Sequence, residues 1–383
     1  MKSIIIENQK WIDEVWGRLD NKLSRIAVKS RGKIPYTTYN GVHNDKIVED
    51  IGSWTNGFWA GLMWVMYERT RNEDYRITAE VAEKAMDKAF EDYDRLGHDV
   101  GFMWHIMSCA NYRLIGNRKS RLRSLYAPSL LSSRYNISGH FIRAWNKKWR
   151  GYETKGITVI DSMMNLPLLY WASDEIGDDR FKKIAIEHAN MTIRDHVRED
   201  GSIYHIVEHD TLTGEPIRVM SGQGYSETSC WTRGLAWMVY GSVLSYVHTG
   251  DKKYLEASMR SADYFIDHCS KNGYKTVIDF GAPAEPVYYD STAGVCAACG
   301  MLEIARNTTS EVSKKYCTEA INILKATYEN FCNFGENEDS IVQMGSCSYP
   351  YENFDSVHIP IIYGDFFFAE AMAKLKGTDF LIW

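Results

Sequence analysis

The feature that most constrains the fold is a repeated arrangement in which an apolar helix ends at a short polar turn and a more polar helix follows. This polar turn occurs at 71–75, 115–120, 176–181 and 249–254, and more loosely at 305–307. In these turns Gly or Asn can take the left-handed conformation that ends one helix, and Asp or Asn can cap the next helix. In most copies an aromatic residue then anchors that second helix. Each copy therefore predicts a helix–turn–helix hairpin.

The hairpins predict an all-α fold. Six apolar helices, each paired with a more polar one, fit an (α/α)6 barrel best, with six inner helices ringed by six outer ones. Because the intervals between copies are irregular, this is a structural repeat and not a sequence repeat. Strand-like runs are few and short, and no linker or low-complexity segment divides the chain, so we expect one domain over 1–383. The inner helices are expected to begin near Trp54, Asp99, Asp161, Trp231, Ser291 and Asp365.

Composition excludes several classes of protein. The 383 residues carry a formal net charge of −6, so no general affinity for nucleic acid is expected. No apolar run is long enough to cross a bilayer, and the first residues lack the apolar core and cleavage site of a secretory signal. Of the eight Cys, Cys296 and Cys299 form a C-x-x-C pair inside an apolar helix, without a second pair at metal-ligand spacing. We therefore expect reduced thiols, no metal and a cytoplasmic location.

Polar and aromatic side chains gather at the predicted starts of the inner helices. In such a barrel the inner helices run parallel, so their N-termini meet at one mouth, where the positive dipole ends favour an anionic ligand. Trp54, Trp59, Trp231 and Trp237 are candidates for its wall, with core packing as the alternative. Arg233 offers a planar fork for a ligand carboxylate or a pair of hydroxyls, or for a structural pair with a carboxylate at the mouth.

Two of these helix starts carry the carboxylates Asp99 and Asp161. Asp161 follows the β-branched run 157–160 and precedes an apolar run, so it is also suited to the N-cap of a helix starting near Ser162. Two carboxylates at one mouth suggest general acid/base catalysis on a sugar. We expect the charge of Asp99, together with burial among Trp side chains, to raise the pKa of Asp161 and keep it protonated near neutrality.

Six segments, taken in order, carry a family resemblance: WTNGFWAGLMWVMYE, HDVGF, IDSMMNLPLLYWA, YHI, CWTRGLAWMVYG and YYDSTAGVCAACGMLEIA. They resemble segments of the unsaturated glucuronyl hydrolases, from about Trp54 to the C-terminal end. The resemblance implies an (α/α)6 barrel catalytic domain. It also implies an enzyme that removes the 4,5-unsaturated uronic acid left at the non-reducing end when a lyase cuts a glycosaminoglycan or a similar polymer.

The resemblance also implies roles for individual residues. Asp161, in IDSMMN, would be the general acid/base, and Asp99, in HDVGF, the second essential carboxylate. In the family mechanism a protonated carboxyl delivers a proton to C4 of the enol ether and water is directed onto C5. The resulting hemiketal opens and expels the leaving sugar, with no metal or organic cofactor. The implied substrate contacts are Trp54, His98, His205, Gln223, Trp231, Arg233 and Trp237, and the segment around Gln223 matches less well.

Other functions fit parts of the same pattern. The nearest is an unsaturated rhamnogalacturonyl hydrolase acting on pectin fragments, with the same fold and chemistry. An inverting glycosidase would use Asp99 and Asp161 as base and acid on a saturated sugar. A sugar-binding or sugar-epimerising α/α toroid would use His residues for proton transfer, but only His98 and His205 fall at motif positions. The basic segment 118–149 is either a solvated face or a rim that meets an anionic substrate.

Overall fold

The structure, a computed structural model, describes residues 1–149, 151–351 and 354–383. Its main helices alternate along the chain between an inner and an outer ring, which confirms the (α/α)6 barrel. The inner ring closes because each inner helix packs against the next and the last packs against the first. The inner helices are Gly57–Thr70, Val100–Trp104 with its π-helical continuation His105–Cys109 and Ala110–Ile115, Leu166–Ile176, Thr232–Thr249, Ser291–Arg306 and Ile362–Leu375. The outer helices are Gln9–Lys29, Glu73–Ala85, Arg118–Ser132, Arg180–Asp195, Lys252–Ser270 and Ser310–Phe331.

The remaining elements are short. Two-stranded hairpins pair Thr38–Tyr39 with Val42–His43 and Tyr135–Asn136 with Phe141–Ile142. The additional helical turns are Lys2–Glu7, Lys46–Glu49, Trp54–Asn56, Met86–Glu91, Tyr93–Arg95 and Ile160–Met164. In the described part of the chain, no helix combines the length and the apolar character needed to cross a membrane.

The two rings differ in how their apolar residues are spaced. Inner helices such as Ser291–Arg306 bury almost every side chain, because neighbours surround them on all sides. Outer helices bury one stripe and leave the opposite face to solvent. In Gln9–Lys29 that stripe includes Ile12, Val15, Leu19, Leu23 and Ile26. This difference explains why the sequence shows apolar helices alternating with more polar ones.

The predicted turns between the paired helices are formed as expected. Gly116, Gly177 and Gly250 end their helices with φ of 78°, 67° and 74°, a left-handed conformation that costs Gly little. In the first hairpin Arg71 itself takes this conformation, with φ of 57°. Side-chain caps of the following helices come from Asn72, Asn117 and Asp251. The buried anchoring aromatics are Tyr75, Phe181 and Tyr254.

Two predicted helix starts are displaced. Asp161 is not an N-cap: it lies in the 3-10 turn Ile160–Met164, and the α-helix begins only at Leu166. Pro167 favours this later start, because its fixed φ and missing N–H suit the first turn of a helix. The last inner helix begins at Ile362, three residues before Asp365, whose buried carboxylate accepts backbone N–H bonds from Ile341 and Val342.

A three-stranded antiparallel sheet lies beside one end of the barrel and is called the mouth sheet below. It consists of Ile157–Val159, Ile206–His209 and Pro216–Met220, with the second strand in the centre. The backbone N–H of Ile160 extends the pairing by donating to the carbonyl of His205, with N and O 3.1 Å apart. The pairing therefore fixes the approach of Asp161, which follows Ile160, to His205.

Candidate active site

A pocket of about 480 Å³ opens where the inner helices begin. Its lining combines residues at or near helix starts with residues from the mouth sheet and the connecting loops. Eight of the nine site residues predicted from sequence line it, and the ninth, His205, contacts Asp161. The lining residues are Trp54, His98, Asp99, Phe102, Trp145, Val159, Asp161, Gln223, Trp231, Arg233 and Trp237.

Asp161 faces the ring of His205. The backbone N–H of Gln223 donates to His205 Nδ1 at 3.0 Å, so this nitrogen carries a lone pair and the ring proton of the neutral imidazole is on Nε2. His205 Nε2 lies 3.5 Å from Asp161 Oδ1. The imidazole also stacks on Trp231, with ring centroids 4.3 Å apart. The site therefore fixes both the tautomer and the orientation of His205.

The electrostatic environment of Asp161 contradicts the expected direction of its pKa shift. Burial, the largest influence, acts to raise the pKa of Asp161, but the N–H of His205 that faces it, with smaller contributions from the nearby His98 and Arg233, lowers it below its ordinary value. The expectation that its pKa is raised was wrong because the sequence did not show how closely basic groups surround this carboxylate. In the free protein Asp161 is ionised near neutral pH.

Asp99 has the raised pKa instead. Burial is the main cause, opposed by His98, and the negative charge of Asp161 adds to the increase. His98 Nε2 lies 3.5 Å from Asp99 Oδ2, and His98 Nδ1 lies 2.7 Å from the hydroxyl oxygen of Ser162. The two carboxylates are therefore electrostatically coupled as expected, with the proton favoured on Asp99.

Asn165 connects the two carboxylate segments. Its side-chain NH₂ donates to Asp99 Oδ1 at 3.3 Å and to the backbone carbonyl of Asp161 at 3.2 Å. Its side-chain oxygen accepts the backbone N–H of Phe102 at 2.8 Å. Asn165 was not singled out from sequence, because these contacts join parts of the chain more than 60 residues apart.

Gly101 permits this arrangement. A Cβ at this position would lie 2.6 Å from both the Cα and the side-chain oxygen of Asn165. Because backbone atoms cannot withdraw cheaply, we expect Gly101→Ala to reduce the free energy of unfolding by roughly 1–3 kcal/mol. Denaturant titration would measure this loss. Gly17→Ala is the control, since a Cβ there would meet no atom within 4 Å; equal stability of the two variants would contradict the prediction.

Arg233 forms the structural pair with a carboxylate that the sequence left open. Its guanidinium is paired with Asp290, with Nη1 and Oδ2 2.6 Å apart. The residue also lines the pocket, and its contact with a ligand stays a prediction. It donates further to the carbonyls of Ser346 and Cys347 at 2.6 and 2.7 Å. Its Cζ lies 4.6 Å from the ring centroid of Trp231. Asp290, at the start of an inner helix, was not among the predicted site residues.

Trp145 was missed from sequence, whereas Trp59 follows the alternative of core packing that the sequence left open. Trp145 lines the pocket from a loop in the basic segment 118–149 and stacks on Trp149 with ring centroids 5.2 Å apart. No local pattern marks a loop Trp as a pocket residue. Trp59 is fully buried and packs its ring against the edge of His43, so it belongs to the core and not to the wall.

The rest of the basic segment contributes mainly to structure. Arg121 pairs with Glu175 at 2.5 Å and Arg123 with Asp87 at 2.5 Å, both bridging neighbouring helices. Arg134 is buried and donates to backbone carbonyls of the loop that carries Trp145. The helical part of the segment is therefore an outer face of the barrel, and Trp145 is the residue of the segment that lines the pocket.

Metal-ligating side chains are not clustered in the described ranges. Within them, no group of three or more His, Cys, Asp or Glu is arranged to hold a metal ion. Cys296 and Cys299 are buried free thiols in an inner helix. The chemistry that this pocket offers comes from its carboxylates, imidazoles and one guanidinium.

Several known proteins are similar to this chain. The unsaturated glucuronyl hydrolase of Bacillus sp. (strain GL1) is 31% identical over 338 residues, covering 87% of this chain and 89% of that protein. The unsaturated chondroitin disaccharide hydrolase of Streptococcus pyogenes serotype M1 is 29% identical over 336 residues, covering 86% and 83%. The crystal structure of the Bacillus sp. GL1 enzyme, described as responsible for the degradation of glycosaminoglycan, superposes with a TM-score of 0.86 at 30% identity, over 94% of this chain and 97% of the other. No protein-family model matches the chain.

Proposed function

Because this chain belongs to the unsaturated glucuronyl hydrolase family and is a glycoside hydrolase, we propose that it acts on the products of polysaccharide lyases. It removes the 4,5-unsaturated uronic acid from the non-reducing end of glycosaminoglycan-type oligosaccharides. The observation that carries this proposal is the pair Asp99 and Asp161 facing one pocket, with His205 beside Asp161. Residues 1–383 are proposed to act as one catalytic domain, since the helix Gln9–Lys29 packs on the last inner helix.

The pocket offers suitable contacts for an unsaturated uronic acid. Arg233 and the neighbouring inner-helix N-termini favour a carboxylate at the mouth. Trp54, Trp145 and Trp231 offer flat surfaces for sugar rings. We propose that His98 and Gln223 contact the hydroxyls of the uronic acid and that Trp237 closes the base of the pocket. Together these groups would hold the double bond beside Asp161.

The proposed reaction begins with proton delivery to C4 of the enol ether by the carboxyl of Asp161. The resulting oxocarbenium ion at C5 takes up water, which Asp161, now ionised, deprotonates. The hemiketal formed at C5 opens and releases the leaving sugar. Of the two carboxyls Asp99 takes up a proton more readily before substrate binds, because its pKa is the raised one of the pair. The carboxylate of an incoming uronic acid adds a negative charge, which raises the pKa of Asp161 and favours its protonation in the complex.

The direct test is the absorbance of the conjugated acid in unsaturated disaccharides. Loss of the ultraviolet band when protein is added to chondroitin- or heparin-derived unsaturated disaccharides is the expected result. Parallel assays with sulfated and unsulfated forms, and with a pectin-derived unsaturated rhamnogalacturonyl disaccharide, identify the leaving sugar. A band that persists for every substrate would contradict the proposed function.

Electrostatic coupling between the carboxylates predicts a change in pH dependence. A reaction that needs a protonated carboxyl slows as pH rises through the pKa of the pair, so the rate should fall on the alkaline side. In Asp99→Asn the group with the raised pKa is absent, so the carboxyl that remains titrates at the lowered pKa of Asp161. We therefore expect the alkaline limb of kcat/KM to move to lower pH.

The pH–rate profiles of the original protein and of Asp99→Asn measure this shift. Asp174→Asn is the control, because Asp174 is exposed near the C-terminal end of the inner helix Leu166–Ile176 and does not line the pocket. An alkaline limb that stays in place in Asp99→Asn would mean that another group sets the pH dependence.

A further inference from the structure

The mouth sheet has two unlike faces. On one face Ile157, Val159 and Ile206 pack in an apolar cluster with Ala144 and Met220. On the other face, since side chains alternate along a strand, Thr158 points away from this cluster and toward buried polar groups. The proposed reaction does not use these groups, and burying polar side chains is costly unless they are well paired.

The polar face holds a chain of hydrogen bonds. Its members are Asp195, His209, Thr158, His196 and the carbonyl of Tyr204. His209 Nε2 lies 2.9 Å from Asp195 Oδ2, and Thr158 Oγ1 lies 2.8 Å from His196 Nε2. His196 Nδ1 lies 2.9 Å from the Tyr204 carbonyl oxygen, and the longest contact, 3.4 Å, joins Thr158 Oγ1 to His209 Nδ1. The rings of His196 and His209 are 0% and 1% exposed.

These contacts determine where the protons lie. A carbonyl only accepts, so His196 carries its proton on Nδ1, and burial, the main influence, lowers the pKa of His196 to about 4 and leaves its Nε2 as an acceptor. The hydroxyl of Thr158 therefore donates to His196 Nε2 at 2.8 Å, its nearest acceptor, in preference to the carbonyl of Val207 at 3.3 Å. The weaker 3.4 Å contact of the Thr158 oxygen with His209 Nδ1 completes the network.

The other end of the network is the contact of His209 with Asp195. A carboxylate oxygen only accepts, so His209 donates to it through Nε2. Although burial opposes ionisation, hydrogen bonds from His209 and Arg194 lower the pKa of Asp195 to about 2. Asp195 is therefore the anionic acceptor at this end of the network, and neutral His196 accepts from Thr158 at the other end.

The network contacts the two segments of the chain that carry the reacting pair, Asp161 and His205. Thr158 lies three residues before Asp161, and Tyr204, whose carbonyl receives the last hydrogen bond, directly precedes His205. The Tyr204 N–H also donates to the carbonyl of His196 at 2.8 Å. The network therefore connects both segments to the outer helix Arg180–Asp195.

We propose that Asp195, His209, Thr158 and His196 form a positioning network that sets the distance and orientation between Asp161 and His205. None of the four lines the pocket, so they act through the reacting pair and not on substrate. For its effect on turnover the proposal rests on the function proposed above. Its effect on His205 can be measured without substrate.

The critical variant is Thr158→Val, which keeps the side-chain shape but removes the hydroxyl between the two imidazoles. We expect kcat to fall roughly 10- to 100-fold with KM little changed, because misplacing a catalytic group by about 1 Å costs on the order of 10²-fold. Thr158→Ser restores the hydroxyl and should recover most of the rate. Thr78→Val is the matched control, since Thr78 is equally buried and hydrogen-bonded but joins two outer helices. An unchanged kcat in Thr158→Val would overturn the proposal.

Nitrogen-15 NMR of labelled histidine rings supplies the second measurement. In the original protein we expect His209 to be protonated on Nε2 and His196 on Nδ1 alone. In Thr158→Val the His205 ring signals should shift, and in Thr78→Val they should not. Unchanged His205 ring signals in Thr158→Val would overturn the positioning role even if no substrate were hydrolysed. Absence of hydrolysis by the original protein would instead contradict the proposed function alone.

Discussion

Replacing Asp161 by Asn is expected to abolish nearly all turnover while leaving substrate binding intact. The amide keeps the shape of the carboxyl but can neither deliver a proton to the double bond nor deprotonate the attacking water. General acid/base groups contribute roughly 10²–10⁴-fold to the rate, so we expect a loss of that order. The ultraviolet assay measures turnover, and quenching of tryptophan fluorescence from Trp54 and Trp231 at the pocket measures binding.

Two comparisons make the Asp161→Asn experiment specific. Asp267→Asn, an exposed outer-helix substitution, should leave both turnover and binding unchanged. A neutral amide also relieves repulsion toward an anionic sugar, so binding by Asp161→Asn should be at least as tight as by the original protein. An Asp161→Asn protein that keeps half its rate would exclude Asp161 as the acid.

The second large effect is expected on stability, at Asp290. Asp290→Ala leaves the guanidinium of Arg233, which is 1% exposed, without its carboxylate partner. Removing one partner of a buried ion pair typically costs about 3–5 kcal/mol, because the remaining charge stays buried and uncompensated. The free energy of unfolding from denaturant titration should therefore fall by about that amount.

Two other variants test the cause of this loss. Asp290→Asn keeps one acceptor oxygen, which can serve either Arg233 or the cap of its own helix, so it should cost less than Asp290→Ala. Asp267→Ala removes an exposed partner of Lys271, and its unfolding midpoint should hardly move. If Asp290→Ala were as stable as Asp267→Ala, the ion pair would contribute nothing to the fold.

The fold was predictable because its signals are local. A turn between paired helices requires a residue in the left-handed conformation and a helix cap within a few positions. The glycines suited to that conformation are visible in the sequence as Gly116, Gly177 and Gly250. The burial of the inner helices appears directly as apolar composition. The start at Leu166 was missed because the β-branched run before Asp161 forms a strand whose partner lies about 50 residues away.

The candidate site was predictable in membership but not in electrostatics. Most of its residues lie at or near helix starts, and a ring of parallel helices brings those starts together whatever the sequence between them. His205 and Gln223 lie outside the helices and were implied only by the family resemblance. The sign of a pKa shift depends on distances between particular atoms. The 3.5 Å approach of His205 to Asp161 and the pairing of Arg233 with Asp290 are set by tertiary contacts that no local pattern encodes.

The pocket residues come from two parts of the structure, the ring of inner helices and the connecting loops, and these parts differ in how much sequence change they tolerate. Asp99 and Arg233 stand at inner-helix starts, and the closed ring fixes them relative to one another. Trp145 and Gln223 reach the same pocket from loops, which vary in length and sequence at little cost to a fold. New leaving sugars can therefore be acquired by exchanging loops while the reacting groups stay in place. Insertions in the ring itself would alter every contact at once.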